Sequence, residues 1–183
     1  MKLFFLIFTI FLYSDQLLSQ TFPMGAKTNI YFIRHAEKES GKDPALTFAG
    51  RRRANDLVLV LRNKGIRRIY VSQYLRTQMT ADSMQIKLGI DTIHYIADTT
   101  GTDLFSKIKE HSDWCNTILV IGHSNTILRI IRNLGVADID AMDIPDNEFD
   151  NLYLVKYKKG KAYLVKKKYG AVSNASASKQ KMQ

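Results

Sequence analysis

Short apolar runs with strand character alternate along this chain with longer segments that have the periodicity of amphipathic helices. Parallel strands need such helical crossovers, and the helices then pack against the faces of the sheet. Two final apolar runs flank a polar turn at 158–161 and predict an antiparallel hairpin. The sequence therefore predicts an α/β fold: a three-layer sandwich with a mostly parallel central sheet flanked by helices and a C-terminal antiparallel hairpin.

The boundaries of these elements follow from apolar periodicity and from glycines at the helix ends. The predicted strands lie at 28–33, 69–71, 91–96 and 117–121, and the hairpin strands at 152–157 and 162–169. The predicted helices lie at 48–64, 75–88, 103–111 and 125–133. Gly65, Gly89 and Gly135 follow three of these helices, and glycine is the residue that most often ends a helix.

Residues 1–20 differ in composition from the rest of the chain, since Lys2 precedes an apolar block at 3–12. This block is typical of a secretory signal peptide and is shorter than the roughly 20 residues of a membrane span. We expect a signal peptide at 1–20, one folded domain at 21–170 and a disordered basic tail at 171–183. The protein is then exported, periplasmic or secreted, without a stable span after cleavage. A retained membrane anchor is the alternative.

The 183 residues have a formal net charge of +10, and no acidic residue follows Asp150. A solvated basic hairpin and tail explain this excess, and a weak contact of the Lys-rich C-terminus with polyanions is the alternative. Few aromatic residues interleave with the lysines, so no specific nucleic-acid partner is expected. Because Cys115 is the one cysteine, an intramolecular disulfide is excluded.

Two of the predicted strands lead directly into a histidine. Arg34 and His35 follow the first strand, and His123 follows the fourth. Parallel strands present their carboxyl ends at one edge of the sheet, and open α/β sheets bind ligands at that edge. Ser72 follows the second strand there, and Arg76 lies in the first turn of the next helix. The sequence thus predicts a site built from these residues.

The position of Arg76 indicates a nearby anion, because a cation in the first turn of a helix opposes the positive end of the helix dipole. Two guanidinium groups, two imidazoles and free helix N-terminal amides together suit a phosphoryl group. Planar guanidinium groups can bind the three equatorial oxygens of a phosphoryl transition state. Neighbouring arginines also keep an imidazole neutral, and therefore nucleophilic, near neutral pH.

These residues resemble the motifs of the histidine phosphatase superfamily, which has the phosphoglycerate mutase-like fold. The resemblance rests on residues 34–37 (RHAE), 46–54 (LTFAGRRRA), 122–125 (GHSN), and Ser72 with Arg76, Thr77, Thr80 and Ala81. It implies that His35 accepts the phosphoryl group as a covalent phosphohistidine. Arg34 and Arg76 then hold the phosphoryl oxygens, and His123 stabilises them beside Ser124 and Asn125 in the phosphate-binding set. Neither a metal nor an organic cofactor is implied.

The chain is too short for the inserted cap domains by which many relatives recognise substrates, so we expect an open site. In this respect it resembles the short members of the superfamily, which act on phosphohistidine in proteins or on small phosphate esters. The implied function is a metal-independent phosphatase that hydrolyses phosphate monoesters or phosphohistidine through an intermediate on His35. The expected partner is therefore a phosphorylated small molecule or phosphoprotein.

No clear glutamate marks the proton donor for the leaving group. Asp98, after the third predicted strand, is the expected catalytic acid, with Asp103 and Glu110 in reserve. A helix-entry or loop carboxylate is the structural alternative for Asp98. Without a working donor, the protein would be a secreted phospho-ligand or polyanion binder with the same pocket and little turnover.

Two other enzyme classes explain the motifs less well. Residues 122–126 approximate the nucleophile elbow of serine hydrolases around Ser124, but the final glycine is missing and the arginines stay unexplained. A metal hydrolase would use the four histidines, whose spacing is not that of a helix-borne metal motif; they are His35, His94, His111 and His123.

Overall fold

The computed structural model describes residues 27–173. In chain order, the strands are β1 (Asn29–Arg34), β2 (Arg68–Ser72), β3 (Thr92–Tyr95), β4 (Thr117–Gly122), β5 (Asn151–Lys158) and β6 (Lys161–Lys168). The α-helices of this part of the chain are α1 (Phe48–Leu61), α2 (Leu75–Leu88), α3 (Thr102–Glu110) and α4 (Ile127–Asn133), and Asp113–Cys115 forms a short 3-10 helix.

The strands form one sheet in the order β3-β2-β4-β1-β5-β6. The first four strands pair in parallel, whereas β5 is antiparallel to both β1 and β6. Helices α1 and α2 contribute Leu57 and Met84 to the core on one face of the sheet. Helices α3 and α4 contribute Leu104 and Ile130 to the core on the other face. This arrangement confirms the predicted three-layer α/β fold.

Two predicted helix boundaries are corrected by turns in the backbone. Helix α1 ends at Leu61 rather than at residue 64, because the Lys64 amide turns back to the Leu61 carbonyl before Gly65 takes a φ of 66°. Helix α4 begins at Ile127 rather than at residue 125, because its first amide donates to the carbonyl of His123 and closes a turn. In contrast, α2 spans the predicted residues 75–88 and ends at Gly89.

The described domain continues beyond its predicted end at residue 170. The Ser173 hydroxyl accepts hydrogen bonds from the Phe149 and Asp150 amides, at 2.8 and 3.1 Å. The predicted signal peptide at 1–20 and residues 174–183 of the predicted tail lie outside the described residues. Among residues 27–173, none of the helices has the length and apolar character needed to cross a membrane.

Candidate active site

Strands β1 and β4 are neighbours, and their register brings the two predicted histidines together. Arg34 pairs with Gly122, and the next amide, that of His35, donates to the Gly122 carbonyl at 3.0 Å. The rings of His35 and His123 have centroids 5.5 Å apart and are tilted by 59°. Both side chains are buried. The carboxyl ends of two adjacent parallel strands therefore place both imidazoles in one site.

The protonation state of His35 follows from a single hydrogen bond. Its Nδ1 lies 2.8 Å from the carbonyl oxygen of Ala36, which can only accept, so Nδ1 carries the proton. Burial lowers the pKa of His35 to about 3; the Ala36 hydrogen bond opposes this shift, and the positive charges of Arg34 and Arg76 add to it. His35 is thus neutral near pH 7, with an unprotonated Nε2.

The loop after His35 is held in place from two sides. The buried Ala36 amide donates to the Thr80 hydroxyl of α2 at 3.0 Å. The next residue, Glu37, receives hydrogen bonds from Arg53 of α1: Nε contacts both carboxylate oxygens at 3.0 and 2.9 Å, and Nη2 contacts Oε1 at 2.7 Å. Arg53 is only 3% exposed. These contacts fix the backbone that orients the His35 ring.

His123 is oriented by partners on both ring nitrogens. Arg76 can only donate, so its contact with Nδ1 at 3.3 Å makes that nitrogen an acceptor. The proton then sits on Nε2, which donates to the Ser72 hydroxyl at 2.8 Å, and this hydroxyl contacts the Thr77 hydroxyl at 3.0 Å. Burial lowers the pKa of His123 to about 4, and the charges of Arg76 and Arg34 contribute. His123 is neutral as well.

Arg34 is clamped by the loop that precedes β5. Its Nη1 donates to the carbonyl oxygens of Pro145, Asp146 and Glu148 at 3.0, 2.9 and 3.3 Å. The guanidinium carbon lies 4.3 Å from the centroid of the Phe149 ring. Its buried Nε has no hydrogen-bond partner among the described residues. The guanidinium of Arg34 is therefore held in place at the edge of the cavity.

Arg76 is also held by neighbouring side chains, and one of its N–H donors also has no partner within residues 27–173. Its guanidinium carbon lies 4.3 Å from the centroid of the Tyr74 ring, and its Nη1 lies 3.5 Å from the carboxylate of Asp43. The Asp43 carboxylate also accepts from the Leu75 amide at the start of α2. In the part of the chain that the structure describes, the buried Nε of Arg76 has no partner either.

These side chains surround a cavity of about 300 Å³. Six of its lining residues belong to the predicted site: Arg34, His35, Arg76, His123, Ser124 and Asn125. The other five were not predicted as site residues: Lys38, Tyr74, Ala97, Thr126 and Asp146. A larger cavity, of about 680 Å³, lies beside the β5–β6 turn and contains no histidine or arginine. Only the smaller one therefore has groups suited to phosphoryl transfer.

The predicted proton donors do not line this cavity. Asp98 accepts hydrogen bonds from the Thr100 amide and hydroxyl and from the Gly101 amide. Burial acts to raise the pKa of Asp98, but these hydrogen bonds bring it below its ordinary value. Asp103 accepts from the Ile96 amide, and Glu110 pairs with Lys107 at the far end of α3. Asp98 thus has the contacts of a helix-entry carboxylate.

Asp146 is a carboxylate that lines this cavity and that the sequence did not predict as a site residue. One of its oxygens lies 3.5 Å from Arg34 Nη2, and its side chain is 94% exposed. It belongs to a loop without periodicity, so no sequence pattern marked it. No group of three or more His, Cys, Asp or Glu side chains in residues 27–173 is arranged to hold a metal ion.

Residues 30–98 match the model of the histidine phosphatase superfamily (branch 1). That segment contains Arg34, His35, Ser72 and Arg76, which the fold brings to one pocket with His123. Over this segment the chain is similar to the histidine phosphatase superfamily.

Solved structures with the same fold include phosphatases of similar size. The protein histidine phosphatase SixA, solved with tungstate, is 15% identical with a TM-score of 0.60, and the match covers 77% of this chain and 97% of that one. A putative SixA from Agrobacterium tumefaciens is 20% identical with a TM-score of 0.59, covering 80% and 100%. A putative alpha-ribazole-5'-P phosphatase from Escherichia coli is 14% identical with a TM-score of 0.60, covering 78% and 96%. No curated protein sequence matched the chain.

Proposed function

We propose that this protein is a metal-independent phosphatase that hydrolyses phosphate monoesters or phosphohistidine through a covalent phosphohistidine on His35. The observation that carries the proposal is the pairing of a neutral His35, protonated on Nδ1, with two arginines whose buried Nε groups lack partners within residues 27–173. A tetrahedral phosphoryl group in the cavity would accept hydrogen bonds from the guanidinium groups of both arginines, which line it. The Nε2 lone pair supplies the nucleophile.

The proposed reaction has two displacement steps. In the first, Nε2 of His35 forms a bond to phosphorus while the bond from phosphorus to the leaving atom breaks, and the leaving group takes the electron pair. Arg34 and Arg76 neutralise the charge on the phosphoryl oxygens. In the second step, water attacks the phosphohistidine, and inorganic phosphate leaves as Nε2 recovers its lone pair. Because His35 and His123 are both neutral, neither needs to lose a proton first.

Two relatives support the inclusion of phosphohistidine among the substrates. The SixA structures carry the names protein histidine phosphatase and putative phosphohistidine phosphatase. Tungstate, which one of them contains, is a tetrahedral oxyanion like phosphate. For this chain, the open cavity of about 300 Å³ fits a phosphoryl group presented on a larger carrier.

The direct test is the capture of the covalent intermediate. The purified protein is mixed with an aryl phosphate in the presence of a chelator, and the reaction is quenched to detect acid-labile phosphate on the chain. We expect labelling and turnover, and a loss of turnover of at least about a thousandfold in His35→Asn. His94→Asn, at an exposed histidine of β3, is the matched control. Labelling that survives in His35→Asn, or turnover abolished by the chelator, contradicts the proposal.

The contacts of Asp98 favour leaving groups that depart without a proton, since a general acid must be protonated near the working pH. We expect an aryl phosphate to react much faster than an alkyl phosphate, and Asp98→Asn to slow both to the same extent. A loss of about a hundredfold or more that is confined to the alkyl phosphate would instead identify Asp98 as the donor. Asp146→Asn tests the lining carboxylate by the same comparison.

The same observation favours a second candidate, a phospho-ligand binder with little turnover. Such a protein would bind phosphate or tungstate measurably by calorimetry, and His35→Asn would retain that affinity. It would hydrolyse neither ester and would acquire no label. Turnover of the aryl phosphate that depends on His35 separates the phosphatase from this candidate.

We also propose that the protein is exported, on the basis of the basic residue and apolar block within residues 1–20. Cell fractionation followed by determination of the mature N-terminus tests this. Cleavage near residue 20 and recovery outside the cytoplasm are expected. An intact Met1 in a cytoplasmic fraction would contradict export.

A further inference from the structure

The turn between β5 and β6 carries a cluster of cations that we name the lysine tip: Lys156, Lys158, Lys159 and Lys161. All four are exposed. Within the part of the chain that the structure describes, none of them forms an ion pair, whereas Lys168 at the other end of the hairpin pairs with Glu148 and Asp150. The lysine tip is therefore a concentration of uncompensated positive charge.

Further cations lie along the same edge of the sheet. The register places Lys156 beside Asn29, Asn29 beside Thr117, and the Thr117 carbonyl accepts from the Arg67 amide. Lys64, exposed in the turn between α1 and β2, belongs to the same end of the molecule. Asp138 shares a groove with Lys161, although no ion pair joins them in residues 27–173. Arg67 pairs with Asp113 at this edge, and Arg68 pairs with Asp91 and Asp113, so the positive charge left without an ion pair among the described residues includes Lys64 and the lysine tip.

The lysine tip lies at the opposite end of the molecule from the active site. Ile33, next to Arg34, pairs with Leu152 of β5, and Lys158 is further along that strand by roughly 20 Å at the usual rise per residue. The loop at the active-site end is acidic, with Asp146 and Glu148 among its residues. An anionic surface would attract the lysine tip, and a domain bound there would hold its cavity at the far end of the hairpin.

The same edge is where the chain enters the domain. Lys27, the first described residue, is exposed, and its carbonyl accepts from the Asn29 side chain at the start of β1. Tyr163 pairs with Lys156 and is 49% exposed, and tyrosine is suited to the lipid–water interface.

We propose that the lysine tip is a docking surface for an anionic phospholipid bilayer, which holds the protein with its active site facing away from the membrane. A groove for single-stranded nucleic acid would combine its cations with several stacked aromatic side chains, whereas only Tyr157 and Tyr163 line the groove beside the lysine tip in residues 27–173. Clustered lysines beside a bilayer gain affinity from anionic headgroups without a shaped pocket, so exposed lysines outside the groove, such as Lys156, Lys158 and Lys159, can contribute. The proposal does not depend on phosphatase activity.

The test compares partitioning of the full chain into two kinds of vesicle. One consists of phosphatidylcholine, and the other of equal parts phosphatidylcholine and phosphatidylglycerol. The readout is the partition coefficient for the anionic vesicles divided by that for the phosphatidylcholine vesicles. Any contribution common to both vesicles cancels in this ratio. Each lysine near an anionic surface contributes about fivefold, so Lys156→Gln, Lys158→Gln and Lys161→Gln together should lower the ratio by roughly a hundredfold. High salt should lower it as well.

The matched control removes three charges from the active-site end, with Lys42→Gln, Arg51→Gln and Arg52→Gln. These residues are exposed in the loop before α1 and in its first turns. We expect the control to lower the ratio by less than about tenfold, because its charges face away from the bilayer. A ratio near one for the wild type, an equal loss in the control, or tighter binding to a fluorescent DNA duplex than to anionic vesicles would overturn the proposal.

Discussion

The buried histidines make a quantitative prediction about how the stability of the fold depends on pH. Burial lowers the pKa of His35 from its ordinary value of 6.5 to about 3 in the folded protein. Lowering the pH from about 7 to about 5 protonates this histidine in the unfolded chain but leaves it neutral in the folded one. The unfolded state then binds more protons, so the free energy of unfolding falls with pH. The loss begins below 6.5 and continues until about pH 3.

The size of the effect follows from the interval between the unfolded pKa and the working pH. At about pH 5 that interval is about 1.5 pH units, and each unit corresponds to 1.36 kcal/mol, so His35 accounts for a loss of about 2 kcal/mol. His123, with a pKa of about 4, contributes a similar amount over the same range. Such a loss is a large part of the stability of an ordinary domain.

The assay is urea unfolding followed by circular dichroism at several pH values between about 7 and 5. His35→Asn removes the titrating group, so we expect this variant to lose about 2 kcal/mol less than the wild type over that range. His94→Asn, at the exposed position on β3, controls for the loss of an imidazole as such. If His35→Asn loses as much stability as the wild type between these pH values, the inferred neutral His35 is wrong.

Three further substitutions test the scaffold around the catalytic loop. Arg53→Met should cost about 3 kcal/mol in urea unfolding, because it leaves the carboxylate of Glu37 half-buried and without its partner, and Glu37→Gln in the same background should recover part of the loss. Thr80→Val should cost about 1–3 kcal/mol, because the buried Ala36 amide loses its acceptor; an unchanged melting temperature would contradict this. Gly50→Ala should lower the yield of folded protein or cost about 3 kcal/mol, because the new Cβ would clash with the Glu37 carbonyl oxygen.

Local sequence signals were sufficient for the elements with strong periodicity. Helix α2 spans the predicted residues because Gly89, with a φ of 64°, ends it. Strand β4 contains the predicted residues 117–121 and one more, Gly122. The start of α4 was predicted too early, because its first turn depends on the His123 carbonyl rather than on side-chain periodicity. Patterns that repeat along the chain are visible in sequence, whereas turns closed by single backbone contacts are not.

The candidate site also combines features that the sequence predicted with features that it did not. Its imidazoles and arginines were predicted from their position after strands, since topology alone brings the carboxyl ends of parallel strands to one edge. The roles of the carboxylates were not predicted correctly, because they depend on which backbone amides lie within hydrogen-bond distance of each carboxylate. The Asp98 carboxylate accepts hydrogen bonds from the amides of residues 100 and 101. Asp146 instead lines the cavity from the loop that contacts Arg34.

By itself, therefore, the sequence determined the order of strands and helices, the edge on which the chemistry lies, and the residue types that point to phosphoryl transfer. Only the tertiary structure decided which ring nitrogen of each histidine carries the proton and showed that burial is the main cause of their neutral state. The Nδ1 proton of His35 and the Nε2 proton of His123 are set by contacts with Ala36 and Ser72, and the low pKa values come from burial. Solvation and hydrogen-bond partners are properties of three-dimensional packing, so no one-dimensional pattern encodes them directly.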